Sequence, residues 1–152
     1  MRAARDGLDV DAAARELQLP PLAARDVAAD LEKRGLYVPG SLLRARLLAD
    51  HPLTWGMPTE VGVFSEGGPV FATSIPRADA DRRVIATHPD DDILMSGYIE
   101  GEKLLAGKPI MVWLRSGSGQ LVLFGFSPHH RGSMSGTYKL LFNALLLPEP
   151  AP

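Results

Sequence analysis

A chain of 152 residues and 16.4 kDa has the length of one domain rather than two. Its 45% apolar and 22% charged residues support a packed core and argue against global disorder, and 16 basic against 18 acidic residues leave a net charge of −2 that draws the chain to neither nucleic acid nor an anionic membrane. Cysteine is absent, which excludes disulfides, thiolate zinc sites, iron–sulfur clusters and every cysteine nucleophile.

Residues 9–17 begin with an aspartate cap and carry an alanine-rich helical pattern that breaks at Pro20-Pro21. A second helix is expected from Pro21, with Leu22, Ala24, Val27, Ala28 and Leu31 on one side. Arg25, Asp26, Asp30, Glu32 and Lys33 face away, and Gly35 is the stop. After Val38-Pro39-Gly40 the pattern changes to short β-like runs, at 42–48, 60–64, 70–73, 83–87, 109–114 and 120–126. Two of them, Ile110-Met111-Val112-Trp113-Leu114 and Leu121-Val122-Leu123-Phe124, are apolar on both sides, which predicts a sheet covered on both faces. Arg115-Ser116-Gly117-Ser118-Gly119 joins them as a hairpin loop.

Residues 96–105 read as a short helix ended by Gly107 and Pro109. A long loop follows at 127–136, then an almost wholly apolar segment, 137–147, that predicts a helix buried against the sheet. The chain thus divides into a helical segment at 1–36, an α/β body at 37–147 and a proline-rich tail at 148–152. The amino terminus is charged where a signal peptide would carry about 7–15 apolar residues, and the apolar stretch 140–147 is far short of the roughly 20 that span a bilayer. With two-sided strands and few helices to cover them, the expectation is that a partner supplies the missing layer or that the chain continues a longer polypeptide. Alone it would be marginally stable or would form a homo-oligomer.

The sharpest local motif is His88-Pro89-Asp90-Asp91-Asp92, directly after Val84-Ile85-Ala86. Imidazole nitrogen and carboxylate oxygen both ligate zinc, and a neighbouring carboxylate can deprotonate a metal-bound water. The stretch resembles the strand-end motif of PIG-L-type zinc de-N-acetylases. That resemblance would make His88 and Asp91 ligands and Asp90 the general base, with the third ligand drawn from the only later histidines, His129 and His130. The preferred reading is an acidic strand-to-helix turn with an exposed histidine, its aspartates capping backbone amides. His129, His130 and Arg131 form a second cluster that would either bind an anion or order its loop, and the loop-ordering role is preferred. No Gly-x-Ser-x-Gly elbow, phosphate-cradling glycine loop, His-Glu-x-x-His or His-x-x-Glu occurs, and Trp55 and Trp113 read as packing residues.

Several stretches are familiar in order: Pro39-Gly40-Ser41-Leu42-Leu43-Arg44, then His51-Pro52-Leu53-Thr54-Trp55-Gly56-Met57-Pro58, then Ser96-Gly97-Tyr98 leading to Leu104-Leu105-Ala106-Gly107-Lys108. Gly119-Gln120-Leu121-Val122-Leu123-Phe124-Gly125-Phe126 with Arg131 follows, and Gly136-Thr137-Tyr138-Lys139-Leu140-Leu141-Phe142-Asn143-Ala144-Leu145 ends the series. It resembles the carboxy-terminal end of bacterial zinc-carboxypeptidase-like proteins whose appended domain is similar to class I glutamine amidotransferases. The resemblance runs from about Gly35 to Leu147. It implies the second half of a flavodoxin-like three-layer sandwich, with peptidase and first-half strands upstream of Met1. It also implies an accessory role: packing against the peptidase or aiding substrate recognition. Zinc would belong to the peptidase domain, and this chain would hold no catalytic residue, metal or cofactor of its own. The family is often exported, which leaves this chain's location open.

Overall fold

A computed structural model describes residues 24–75, 80–116, 118–132 and 134–148. The helical pattern at 9–17 and most of the tail lie outside the described residues. The first described element corrects the helix expected from Pro21. Ala24–Asp26 is a strand, β1, and the helix α1 is confined to Ala28–Lys33. Tertiary pairing decides this. β1 lies antiparallel to β4 (Phe71–Thr73), and the Asp26 carboxylate accepts from the amides of Ala28 at 2.8 Å and Val70 at 3.2 Å. One side chain thereby joins the first turn of α1 to the residue that leads into β4.

The main sheet has six strands, in the order β3-β2-β5-β7-β8 with β6 added on β2. They are β2 (Ser41–Leu47), β3 (Glu60–Ser65), β5 (Ala80–Thr87), β6 (Leu94–Ser96), β7 (Pro109–Ser116) and β8 (Gly119–Phe124). Every pairing between named strands is antiparallel. β2 alternates, burying Ser41, Leu43, Ala45 and Leu47. One of its edges pairs with β3 along its length. The other is shared, with Leu42 and Leu43 facing β6, and Arg46 and Leu47 facing β5. That division curls the sheet. A register shift in β5 around Ile85 adds to the curl and lets the consecutive residues Ile85 and Ala86 both be buried.

The β7–β8 hairpin is covered on both faces, as its composition predicts. Leu43, Ala45, Leu53, Val63, Met111 and Leu140 belong to the large core on one side. Val112, Leu114 and Leu123 pack with Ala24 and Phe71 on the other, so the small β1–β4 sheet supplies the second cover. The class is α/β, with a curled antiparallel sheet and few helices.

Two further expectations are corrected. Residues 96–105 are not a helix: Leu94–Ser96 is strand β6, and only Glu102–Leu104 makes a 3₁₀ turn. Gly97 takes φ +101° where a side chain would collide with Ser41, and Glu102 Oε1 accepts the Ile93 and Leu94 amides at 2.7 and 2.9 Å instead of supporting a helix. The final helix, α2 (Tyr138–Leu145), is buried on one side only. Leu140 is wholly buried and Ala144 packs on the large core, but Phe142, Leu145 and the following Leu146 face solvent. No described helix is long and apolar enough to cross a membrane.

Candidate functional site

The end of β5 delivers His88, whose amide donates to Lys108 O at 3.0 Å. Its ring is buried, at 3% exposure, with Nδ1 2.8 Å from Arg44 O. A carbonyl only accepts, so Nδ1 carries the proton. Burial holds the ring's pKa below the ordinary histidine value, and the Arg44 carbonyl offsets part of that. The exposed histidine expected at this turn is thus corrected: the apolar run of β5, shifted by its bulge, carries residue 88 inward. Beside the ring lies a cavity of about 10 Å³, walled mainly by Val38, Val63, Leu105, Ile110 and Phe126, with room for one water at most.

The aspartates go the other way. Asp90, Asp91 and Asp92 are exposed on a turn that leads to strand β6 rather than to a helix. Asp92 sits at φ +52°, and Arg44 fixes it twice: Nη2 to the carboxylate and Nε to the backbone oxygen, each at 2.9 Å. The motif therefore splits, with histidine in the core and carboxylates in water. Among the described residues no group of three His, Asp or Glu side chains is placed to hold a metal ion.

The loop after β8 carries the second cluster. His129 and Arg131 are exposed, Arg131 at φ +44°, and His130 stacks on Phe64 with ring centroids 3.9 Å apart. Phe64, Phe124, Phe126, Ser127 and His130 border an open depression of about 290 Å³. Thr137 ties this loop: it is fully buried, and its hydroxyl meets Pro128 O at 2.6 Å and Met134 O at 2.9 Å. Sequence reading gives Thr137 no role of its own: it enters only as part of the stretch 136–145 and as the start of the final helical segment.

Three other features were also missed. Tyr37 and Tyr98, both exposed, meet edge to face at 6.4 Å beside a shallow depression of about 1070 Å³ bordered by Glu32, Glu66 and Glu100. His51 accepts the Leu53 amide at Nδ1, 3.2 Å away, and starts the 3₁₀ turn Pro52–Thr54, its ring lying 5.7 Å from that of Trp113. Burial lowers its pKa, Arg83 lowers it further, and Asp81 opposes both. Trp55, expected to pack, projects into solvent at 68% exposure because the turn after Thr54 aims it outward. Trp113 is half-buried as expected, donating from Nε1 to Gln120 at 3.1 Å.

Chemically, these groups can adsorb a ligand or a partner through exposed aromatic and carboxylate side chains. Compared with known proteins, the chain matches no family, no curated protein and no solved structure.

Proposed function

We propose that this chain is a non-catalytic accessory domain of a zinc-carboxypeptidase-like protein, which packs against the peptidase or helps it recognise substrate. In this reading the antiparallel sheet is the carboxy-terminal part of a larger domain similar to class I glutamine amidotransferases, and its partner is the peptidase domain or the remainder of that flavodoxin-like sandwich. The zinc, its ligands and the catalytic groups reside in the peptidase.

The observation that carries the reading is where the family-like stretches lie: they are scaffold. Ser41 Oγ joins β2 to the Tyr98 segment, accepting from Tyr98 N at 3.0 Å and donating to Tyr98 O at 2.5 Å. The 51–58 stretch is the loop on which α2 rests through Asn143, whose Nδ2 donates to Leu53 O and Trp55 O at 3.0 and 3.1 Å. Gly119–Phe124 is β8, and Thr137 locks the loop before α2. Residues of the resemblance thus hold backbone together rather than converge on a reacting atom.

The competing reading, a zinc-dependent de-N-acetylase using His88, Asp90 and Asp91, has less support because the histidine and the carboxylates point into different environments. Zinc titration by calorimetry decides between them. The accessory reading expects weak binding that His88→Ala leaves unchanged; sub-micromolar binding abolished by His88→Ala overturns it. A peptidase domain of the resembled family, assayed with and without the chain, provides the positive test: a lowered KM or a measurable complex is expected. Neither effect at saturating chain would reject the accessory role.

A further inference from the structure

We propose that the chain forms a two-fold symmetric homodimer through the outer face of α2 and the loop bearing Trp55. Phe142, Leu145 and Leu146 stand at i, i+3 and i+4, the spacing of one helix face, and are 56%, 72% and 79% exposed. Trp55 is held beside that face, because Asn143 Nδ2 donates to Trp55 O and Lys139 Nζ to Gly56 O at 3.1 Å. The same loop walls a depression of about 260 Å³ with Leu48, Trp55, Met57 and Pro58. An apolar ridge and a recess of mixed apolar and polar lining, with Asp50, Thr54 and Thr59 on its wall, therefore adjoin one another.

A second copy is the occupant this geometry fits. Two-fold pairing uses one patch twice, so each ridge meets the other protomer's recess. Covered completely, the four exposed side chains, two of them aromatic, offer roughly 500 Å². Used twice, the patch buries roughly 1,000 Å², the lower bound for a specific complex. Charge is compatible with the same pairing: Lys139, the only charged residue of α2, bonds the Gly56 carbonyl at the rim of the recess that Asp50 borders, so the patch carries one charge of each sign and is self-complementary about a two-fold axis. An interface of this size belongs with the weak, concentration-dependent complexes. This inference stands apart from the accessory-domain reading, since it needs no peptidase.

Sedimentation velocity on the full chain across about 1–200 µM tests it. The expected result is a concentration-dependent dimer whose dissociation constant rises about tenfold or more in Leu146→Glu. Trp55→Ser, in the loop rather than the helix, should act alike, while Ile75→Glu, at a residue 90% exposed elsewhere, should have no effect. Unchanged far-ultraviolet circular dichroism and melting temperature establish that each variant is folded. A monomer at 200 µM overturns the proposal, as does a dimer that survives both Leu146→Glu and Trp55→Ser.

Discussion

A β-carbon placed on Gly68 would overlap the carbonyl oxygen of Gly125, and one placed on Gly125 would overlap the carbonyl oxygen of Pro69. These two glycines mark where the segment after β3 crosses the end of β8 backbone against backbone. The crossing closes the curled sheet around the large core, with Val70 and Phe126 buried at either side of it. Neither glycine has a positive φ, so the demand is for space rather than for left-handed backbone.

Gly68→Ala and Gly125→Ala should each lower unfolding stability by about 2–3 kcal/mol, because the obstructing atoms are main chain and cannot rotate away. Gly136→Ala, with nothing within 4 Å of the added carbon, should stay within about 0.5 kcal/mol of the parent. Urea denaturation of the three variants checks the contrast. Equal losses at all three would refute the crossing as the cause.

The Thr137 hydroxyl is a tie between the loop at 127–136 and the start of α2. Thr137→Val keeps the shape but removes the donor to the Pro128 carbonyl, while Met134 O retains the Thr137 amide, at a cost of about 1–3 kcal/mol. Thr137→Ser should recover most of that. The check is thermal unfolding of both variants; a valine variant as stable as the parent would remove Thr137 from this role.

The one-sided burial of α2 gives a second contrast. Leu140→Ala should cost about 2–5 kcal/mol, since the side chain is wholly enclosed, while Leu145→Ala should cost less than about 0.5 kcal/mol in the monomer. Denaturation at dilute protein separates the two. Similar losses would mean that both faces of the helix are packed.

His51 and His88 both have pKa values lowered on folding, chiefly by burial. Below the unfolded value of about 6.5 the unfolded chain therefore binds more protons than the folded one. Stability is complete above that pH and falls as the pH drops through the lowered folded values. His51→Asn keeps an acceptor for the Leu53 amide but cannot titrate, so it should flatten part of the decline. Urea midpoints measured from pH 8 to pH 5 test this, and a stability that rises on acidification would contradict both assignments.

The strands were legible because each is short, apolar or alternating, and bounded by turn residues. The expected runs at 60–64 and 109–114 lie within β3 and β7, and that at 42–48 is displaced from β2 by one residue at each end. The segments at 24–26 and 96–105 were misread for one common reason. Both contain helix-compatible residues, yet Ala24–Asp26 is paired with Phe71–Thr73, and the second segment begins in a strand, Leu94–Ser96, paired with Ser41–Leu47, distant in sequence in each case. Local propensity is weak beside a ladder of backbone hydrogen bonds.

The candidate site divides in the same way. Composition alone determined that no cysteine chemistry operates here, and the apolar pattern determined a sheet covered on both faces. The string His88-Pro89-Asp90-Asp91-Asp92 names groups able to bind a metal but not the directions in which they point. Only the tertiary structure turned His88 onto Arg44 O, set the aspartates in water and left Trp55 and Phe142 uncovered. Orientation depends on register, and the register of β5 is set by a bulge and by partners contributed from β2 and β7, many residues away along the chain.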